Sequence, residues 1–418
     1  MKTIFTSFFL FFTLFLFAQD CDNRYQADLF TNVDVTTVKY GEAMNRQGVL
    51  QELYMDIYQG QGDTASNRPV VLFCFGGSFY TGSRTSQELV YFATELAKKG
   101  YVCASIDYRL ATSVIDLIQE EVMVKVVFGA VQDGKAAIRF FREDAATTNT
   151  YKVDSNQIFI GGTSAGGILS INLAYVDDLE QLPTTWQTWA DEIGGIEGSS
   201  GNPGHCSYVN GVFGFAGAVG DTAYIEANDP PFYGCHSTGD QTVLFGYGAP
   251  LNGFAPVSLY GSSLIEARMN NLGIYNSVDV YSGSNHPPLN NQTRLTDTKN
   301  NLSEFLFNIL DCNSNDRKLA SQKSCEDFSN PSTGIVSANP NYTWTLYPNP
   351  AKSQINIEGL NATYSSVHIY DALGREVFYQ NLNGEQNLKI NIENFVRGVY
   401  FVSLNKGQAK ERISLLVD

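Results

Sequence analysis

The sequence predicts an α/β chain: a mostly parallel sheet with helices on both faces, then a small C-terminal antiparallel β-sandwich. Three observations carry this. Up to about residue 310, short apolar runs alternate with longer stretches of helical spacing. From residue 344 the pattern becomes short alternating strands separated by tight-turn signals. A polar stretch bearing Ser, Asn and Pro, residues 313–343, separates the two and reads as a linker. The 418 residues suit two domains, and 43% hydrophobic content is enough to build a sizeable core.

In chain order, Val33–Tyr40 and Leu50–Tyr58 are predicted strands, followed by the continuous apolar run Val70–Phe75. Helical spacing over Gln87–Lys99 stops at Gly100, and Tyr101–Ile106 is the next strand. A helix is expected over Val131–Glu143, a strand over Gln157–Gly161 and a helix over Ala165–Ala174. Later strands are Val209–Phe215, Phe232–His236 and Val278–Tyr281, with helices at Ser262–Leu272 and Leu295–Leu310. Continuous apolar strands alternating with helices are the mark of a parallel sheet covered on both sides. Residues 177–208 break the rhythm. They are Gly-rich, carry Trp186 and Trp189, and read as an insertion that could cap the sheet.

Composition removes several function classes. The net charge is −16, which repels phosphate backbones and disfavours nucleic-acid binding. Four His and seven Cys without a CxxC or HxxxH pattern imply no metal site, and no organic cofactor is implied either. Lys2 followed by the apolar run Phe8–Phe17 and Ala18 predicts a cleaved export signal over residues 1–18. The catalytic domain is then expected over residues 19–312. No further apolar stretch is long enough to span a membrane.

The chemistry is expected at strand ends. Gly162-Thr163-Ser164-Ala165-Gly166 fits GxSxG and sits between a predicted strand and a predicted helix. A sharp turn there exposes the Ser164 hydroxyl, and glycines leave room beside it. A hydroxyl needs a base to become a nucleophile. His286 lies in a loop just past a late strand, and Asp240 follows the strand before it. Ser164, Asp240 and His286 therefore fall in the Ser…Asp…His chain order of a nucleophile-elbow enzyme. His236, His205 and His368 fit that order less well. The oxyanion of a tetrahedral intermediate needs N–H donors, and the Phe75–Ser83 segment offers Gly76, Gly77 and Ser78 after the first central strand.

Residues 30–310 resemble the α/β-hydrolases of the carboxylesterase–lipase type. The carriers are Phe75–Ser83, Ile106-Asp107-Tyr108-Arg109-Leu110, Gly162–Gly167, His236–Asp240 and Ser284–His286. The resemblance implies Ser164 as nucleophile, Asp240 as acid and His286 as base. It implies oxyanion N–H groups from Gly77, Ser78 and Ala165, with Gly76 as an alternative donor. Two positions depart from the family: Phe75 stands where many members carry His or Tyr, and Ser78 where a third Gly is usual. The resemblance is closest to secreted bacterial esterases, including polysaccharide-directed acetyl or feruloyl esterases. An ester of a small molecule or a polysaccharide is the implied substrate. A serine peptidase of the same fold and a non-catalytic adhesin on a hydrolase scaffold are the alternatives.

Residues 344–418 resemble the C-terminal sorting domains of the type IX (Por) secretion system. The carriers are Tyr347-Pro348-Asn349-Pro350, Ile369-Tyr370-Asp371 with Gly374, and Arg397-Gly398-Val399-Tyr400. That resemblance implies passage through the periplasm, partnership with the type IX machinery, and release or attachment at the outer face of the outer membrane. The cysteines fit export. Cys74 and Cys103 fall inside core strands and read as buried thiols, Cys312 with Cys325 is a candidate pair, and Cys206 with Cys235 a weaker one.

Overall fold

The computed structural model describes residues 21, 23–310, 325, 344–349, 351–371, 375–406 and 409–417. The export signal read at residues 1–18, most of the linker read at 313–343 and the turn at 372–374 lie outside the described residues. The chain divides into two compact units, Met1–Cys325 and Glu326–Asp418.

Among the described residues of the first unit, eight strands form one sheet: β1 (Val33–Met44), β2 (Leu50–Gly60), β3 (Arg68–Cys74), β4 (Val102–Ile106), β5 (Val153–Thr163), β6 (Gly211–Phe215), β7 (Phe232–Ser237) and β8 (Asn276–Tyr281). Their spatial order is β1-β2-β4-β3-β5-β6-β7-β8. The hairpin β1–β2 and the β2–β4 pair are antiparallel, and every pair from β4 to β8 is parallel. Every residue of β3, β4 and β6 is buried, which accounts for their unbroken apolar sequence. Helices α1 (Gln87–Ala97), α2 (Glu120–Ala146), α3 (Ala165–Tyr175), α4 (Thr184–Asp191), α5 (Ser262–Leu272) and α6 (Gln292–Asn308) connect and cover the strands. α1 packs with α6, and α2 with α3.

Helix α2 starts eleven residues before the expected Val131, at Glu120. Its first half, with Met123, Val124, Val126 and Val127, is rich in β-branched residues and reads as strand by propensity. Packing decides otherwise: Met123, Val124, Val126 and Phe128 are all buried along this half of the helix. The 177–208 insertion contains α4 and runs along α2. Trp186 donates to Glu120 at 2.9 Å, while Lys135 and Arg139 meet Glu197 at 2.7 and 2.9 Å.

A disulfide joins Cys206 to Cys325, with 5.8 Å between the Cα atoms. This corrects both cysteine pairings expected from sequence. Cys235 points from β7 into the core, 3.4 Å from the Thr298 hydroxyl, and is a free buried thiol. Cys206 lies on the other side of the sheet, where its carbonyl accepts from Arg142 of α2. Cys74 and Cys103 are free and buried as expected, and burial pushes the Cys74 thiol up to about 12.

The second unit holds two antiparallel sheets among its described residues. Thr345–Tyr347, Gln354–Glu358 and Asn387–Asn391 form one; Glu376–Asn381, Tyr364–Asp371, Gly398–Lys406 and Ala409–Val417 form the other. Ile355, Ile357 and Ile390 of the first sheet share one core with Val367, Ile369, Val402 and Leu404 of the second. Two sheets with a common core make the expected sandwich.

Candidate functional site

Ser164 sits at the turn between β5 and α3 with φ 54° and ψ −115°, a conformation that a non-glycine residue adopts only under constraint. The constraint is visible. The Ser164 N–H donates to Phe215 of β6 at 2.8 Å. A Cβ on Gly162 or on Gly166 would come within 2.1 Å of the Cys74 carbonyl oxygen at the end of β3. Both glycines of the motif are therefore required by close backbone approach, and α3 begins at once behind the serine.

His286 lies in the loop after β8 and Asp240 in the turn after β7. The Ser164 hydroxyl meets His286 Nε2 at 2.7 Å, and His286 Nδ1 meets Asp240 Oδ2 at 2.6 Å. The other Asp240 oxygen accepts the N–H groups of Thr242 and Val243 at 2.8 and 3.2 Å, which fixes the carboxylate. Asp240 is buried, and Ser164 is 8% exposed. All three side chains follow the carboxyl ends of parallel strands β5, β7 and β8, on one side of the place where the strand order reverses, between β3 and β5, and the loop after β3 comes from the other side. That is where open α/β sheets place their ligands.

The segment after β3 passes the same place. Gly77 has φ +128°, Ser78 φ +53° and Phe79 φ +56°. A Cβ on Gly76 would stand 3.4 Å from the Ser164 Cβ, so the chain runs directly past the hydroxyl. Among the described residues, the N–H groups of Gly77, Ser78 and Ala165 donate to no protein acceptor. Three clamps from the 106–111 segment hold this loop. Asp107 accepts from the Arg84 N–H at 3.1 Å and from its guanidinium at 2.6 Å. The Tyr108 hydroxyl donates to the Phe75 carbonyl at 2.7 Å. The Ala111 N–H donates to Phe79 at 2.7 Å. The Phe75 ring stacks on Tyr108 with centroids 4.1 Å apart, so an apolar contact anchors the start of this loop. The sequence showed the Asp107-Tyr108-Arg109 motif but not that its side chains support this loop.

His236, set aside as a base, is fully buried behind Asp240. Its Nε2–H donates to the Val243 carbonyl at 2.9 Å and lies 3.6 Å from Asp240 Oδ2, and its Nδ1 accepts from Ser262 at 2.8 Å. Burial holds its pKa below the usual histidine value. Chain order alone could not assign this histidine, because nothing in the sequence shows that it supports the Asp240 turn from behind. A second group that sequence reasoning missed is Glu88, in the first turn of α1. Burial raises its carboxyl above the usual range, opposed by the Thr163 hydroxyl and by the His286 ring. His205 and His368 are not part of this cluster.

Residues 55–195 match the BD-FAE family, and residues 345–418 match the secretion system C-terminal sorting domain. Among curated proteins the chain is 32% identical over 148 residues to esterase LipC of Mycobacterium tuberculosis, covering 34% of this chain and 33% of that protein. It is 30% identical over 168 residues to beta-agarase A of Zobellia galactanivorans, covering 34% and 31%. A match to the non-reducing polyketide synthase atr1 of Stereocaulon alpinum is 31% identical over 137 residues but covers only 5% of that protein. The chain thus spans a third or less of the length of these curated relatives. Among solved structures, the apo form of Thermogutta terrifontis esterase 2 is similar with a TM-score of 0.48 and 22% identity, covering 68% of this chain and 97% of that one. Among the described residues no helix is long and apolar enough to cross a membrane. The chain thus joins a mostly parallel α/β unit bearing the BD-FAE match to a C-terminal segment that matches the secretion system sorting domain, which marks it for secretion or for attachment at the cell surface.

Proposed function

We propose that the protein is a secreted serine carboxylic-ester hydrolase that works through an acyl-enzyme. The supporting observation is the Ser164–His286–Asp240 chain, with hydrogen bonds of 2.7 and 2.6 Å at an elbow whose φ is 54°. In this reading His286 Nε2 takes the Ser164 proton as Oγ attacks the ester carbonyl. The N–H groups of Gly77 or Ser78 and of Ala165 hold the oxyanion. The protonated imidazole then gives its proton to the departing alkoxide. Water, deprotonated by the same nitrogen, cleaves the acyl-enzyme, and the proton passes back to Ser164. Asp240 keeps Nδ1 protonated and orients the ring.

The residues beyond 345 would take the chain out through the type IX machinery, after a leader at residues 1–18 has taken it to the periplasm. Acetyl or feruloyl esters of polysaccharides and other short-chain esters are the substrate classes to test. A fluorophosphonate probe decides the central point: it should label wild-type protein and not Ser164→Ala. A panel of p-nitrophenyl acetate, acetylated xylan, methyl ferulate and a peptide anilide then separates ester from peptide turnover. Equal labelling of wild type and Ser164→Ala would end the serine reading.

A further inference from the structure

Three residues of α3 share one face: Ser164 at its start, then Ile168 and Asn172, spaced by four. They are 8, 7 and 8% exposed, whereas Leu169 and Ile171 of the same helix are fully buried. Ile168 and Asn172, on the face that begins at Ser164, form one wall of a cavity of about 50 Å³. Met123, Val127 and Val131 of α2, also spaced by four, face it, and Phe79, next to Ser78, closes the side nearest the oxyanion loop. Leu182 and Trp186, from the insertion, and Leu259 complete the enclosure.

The side-chain lining is apolar except at Asn172, Trp186 and the Tyr224 hydroxyl, and the Asn172 amide is already engaged. Its Nδ2 donates to Ile168 at 2.8 Å and to Ala218 at 3.3 Å, and its Oδ1 accepts from Gly220 at 3.0 Å. The Trp186 N–H is likewise used, by Glu120. The space therefore offers a ligand carbon surface and no free hydrogen-bonding group from these two side chains. A water-sized occupant needs about 10–15 Å³ on the same scale, so the cavity takes roughly three to five heavy atoms.

We propose that this cavity receives the acyl chain of the substrate, and that it fits an unbranched aliphatic acyl group of about four to six carbons. The proposal rests on the ester-hydrolase reading and narrows it. Acetyl leaves the cavity empty, and an aromatic acyl group such as feruloyl exceeds it. The insertion thereby sets acyl length through Leu182 and Trp186, while α2 sets it from the opposite side through Val127.

The test is kcat/KM on p-nitrophenyl esters from acetate to decanoate, with methyl ferulate beside them. Burying each methylene should raise kcat/KM about fourfold from acetate to the optimum, after which it falls. Val127→Phe, at a half-buried position, should move the optimum to acetate or propionate. Leu182→Ala should move it to longer chains and raise ferulate turnover. Fluorophosphonate labelling of each variant reports intact chemistry separately. An optimum at acetate in the wild type would overturn the proposal. So would an optimum that neither variant moves while labelling persists. Absence of labelling in the wild type would overturn the ester-hydrolase reading itself.

Discussion

The two units use β-structure in opposite ways. In the first, β3 and β4 are buried at every position, so side chains of both faces belong to the core. In the second, Gln354–Glu358 alternates buried and exposed residues, with Ile355 and Ile357 inside and Gln354 and Glu358 outside. A sheet covered on both faces has only its strand ends free for chemistry. Ser164, Asp240, His286 and the 75–84 loop all lie there. A half-covered sandwich instead presents whole faces and edges to solvent, which suits recognition by another protein more than bond-breaking. The only histidine of the second unit, His368, meets Glu376 at 2.6 Å on a strand face, and among the described residues no nucleophilic hydroxyl is held as Ser164 is.

The sharpest way to break this contrast is to remove chemistry from each unit in turn. Ser164→Ala should cut kcat by about 10⁴-fold or more while leaving the fold intact. His368→Ala should leave kcat within about twofold, because it removes only contacts within the tail, to Glu376, Ser366 and Asn405. Matched esterase assays with circular dichroism read both. A Ser164→Ala enzyme retaining a tenth of wild-type turnover would place the chemistry elsewhere.

Division of labour can also be tested by cutting. The fragment 19–330 keeps Cys206 with Cys325, all eight strands of the large sheet and every candidate site residue. It should fold and hydrolyse a soluble ester at nearly the full rate, yet stay in the periplasm of the native host. Fractionation and a p-nitrophenyl ester assay measure the two outcomes together. Truncated enzyme reaching the cell surface normally would mean that the tail serves binding and not export. An inactive fragment would mean that the tail completes the first unit.

What was legible in the sequence follows from the same contrast. GxSxG between an apolar strand and an apolar helix is a local signal, and the order of Asp240 and His286 added two strand-end loops, so the cluster could be named. The tail's alternation and turns are local as well. Other features depend on what packs against what. The first half of α2 reads as strand until its apolar residues find a core to face. Phe75 reads as a departure from a family pattern until Tyr108 is seen stacked upon it. Cys206 and Cys325 are 119 residues apart, and spacing alone favoured closer partners.

Core substitutions should separate the units by stability. Phe213 of β6 is fully buried against Phe73, with ring centroids 5.3 Å apart. Phe213→Ala should cost about 3–5 kcal/mol, from lost burial and the cavity left behind. Ile369→Ala in the tail should cost about 2–5 kcal/mol by the same reasoning. If the units unfold separately, calorimetry of the full chain should show each substitution lowering one transition and sparing the other. A common shift of both transitions would show that the units are energetically coupled.

The smallest expected effect concerns the buried histidine behind Asp240. Burial depresses the pKa of His236 in the folded protein, so the unfolded chain binds its proton at higher pH than the folded one does. The stability from this group is therefore present above the unfolded value of about 6.5 and is lost as pH falls from there toward the depressed folded value. The loss approaches about 1.4 kcal/mol for each pH unit within that window. His236→Asn removes the titration. It also leaves Ser262 or Val243 without a partner, at a pH-independent cost of about 1–3 kcal/mol. Urea melts at pH 8 and at pH 5 should then show a lower midpoint for the variant at pH 8 and a smaller difference between the two pH values than in the wild type. An unchanged pH difference would mean that His236 does not stay neutral in the folded protein.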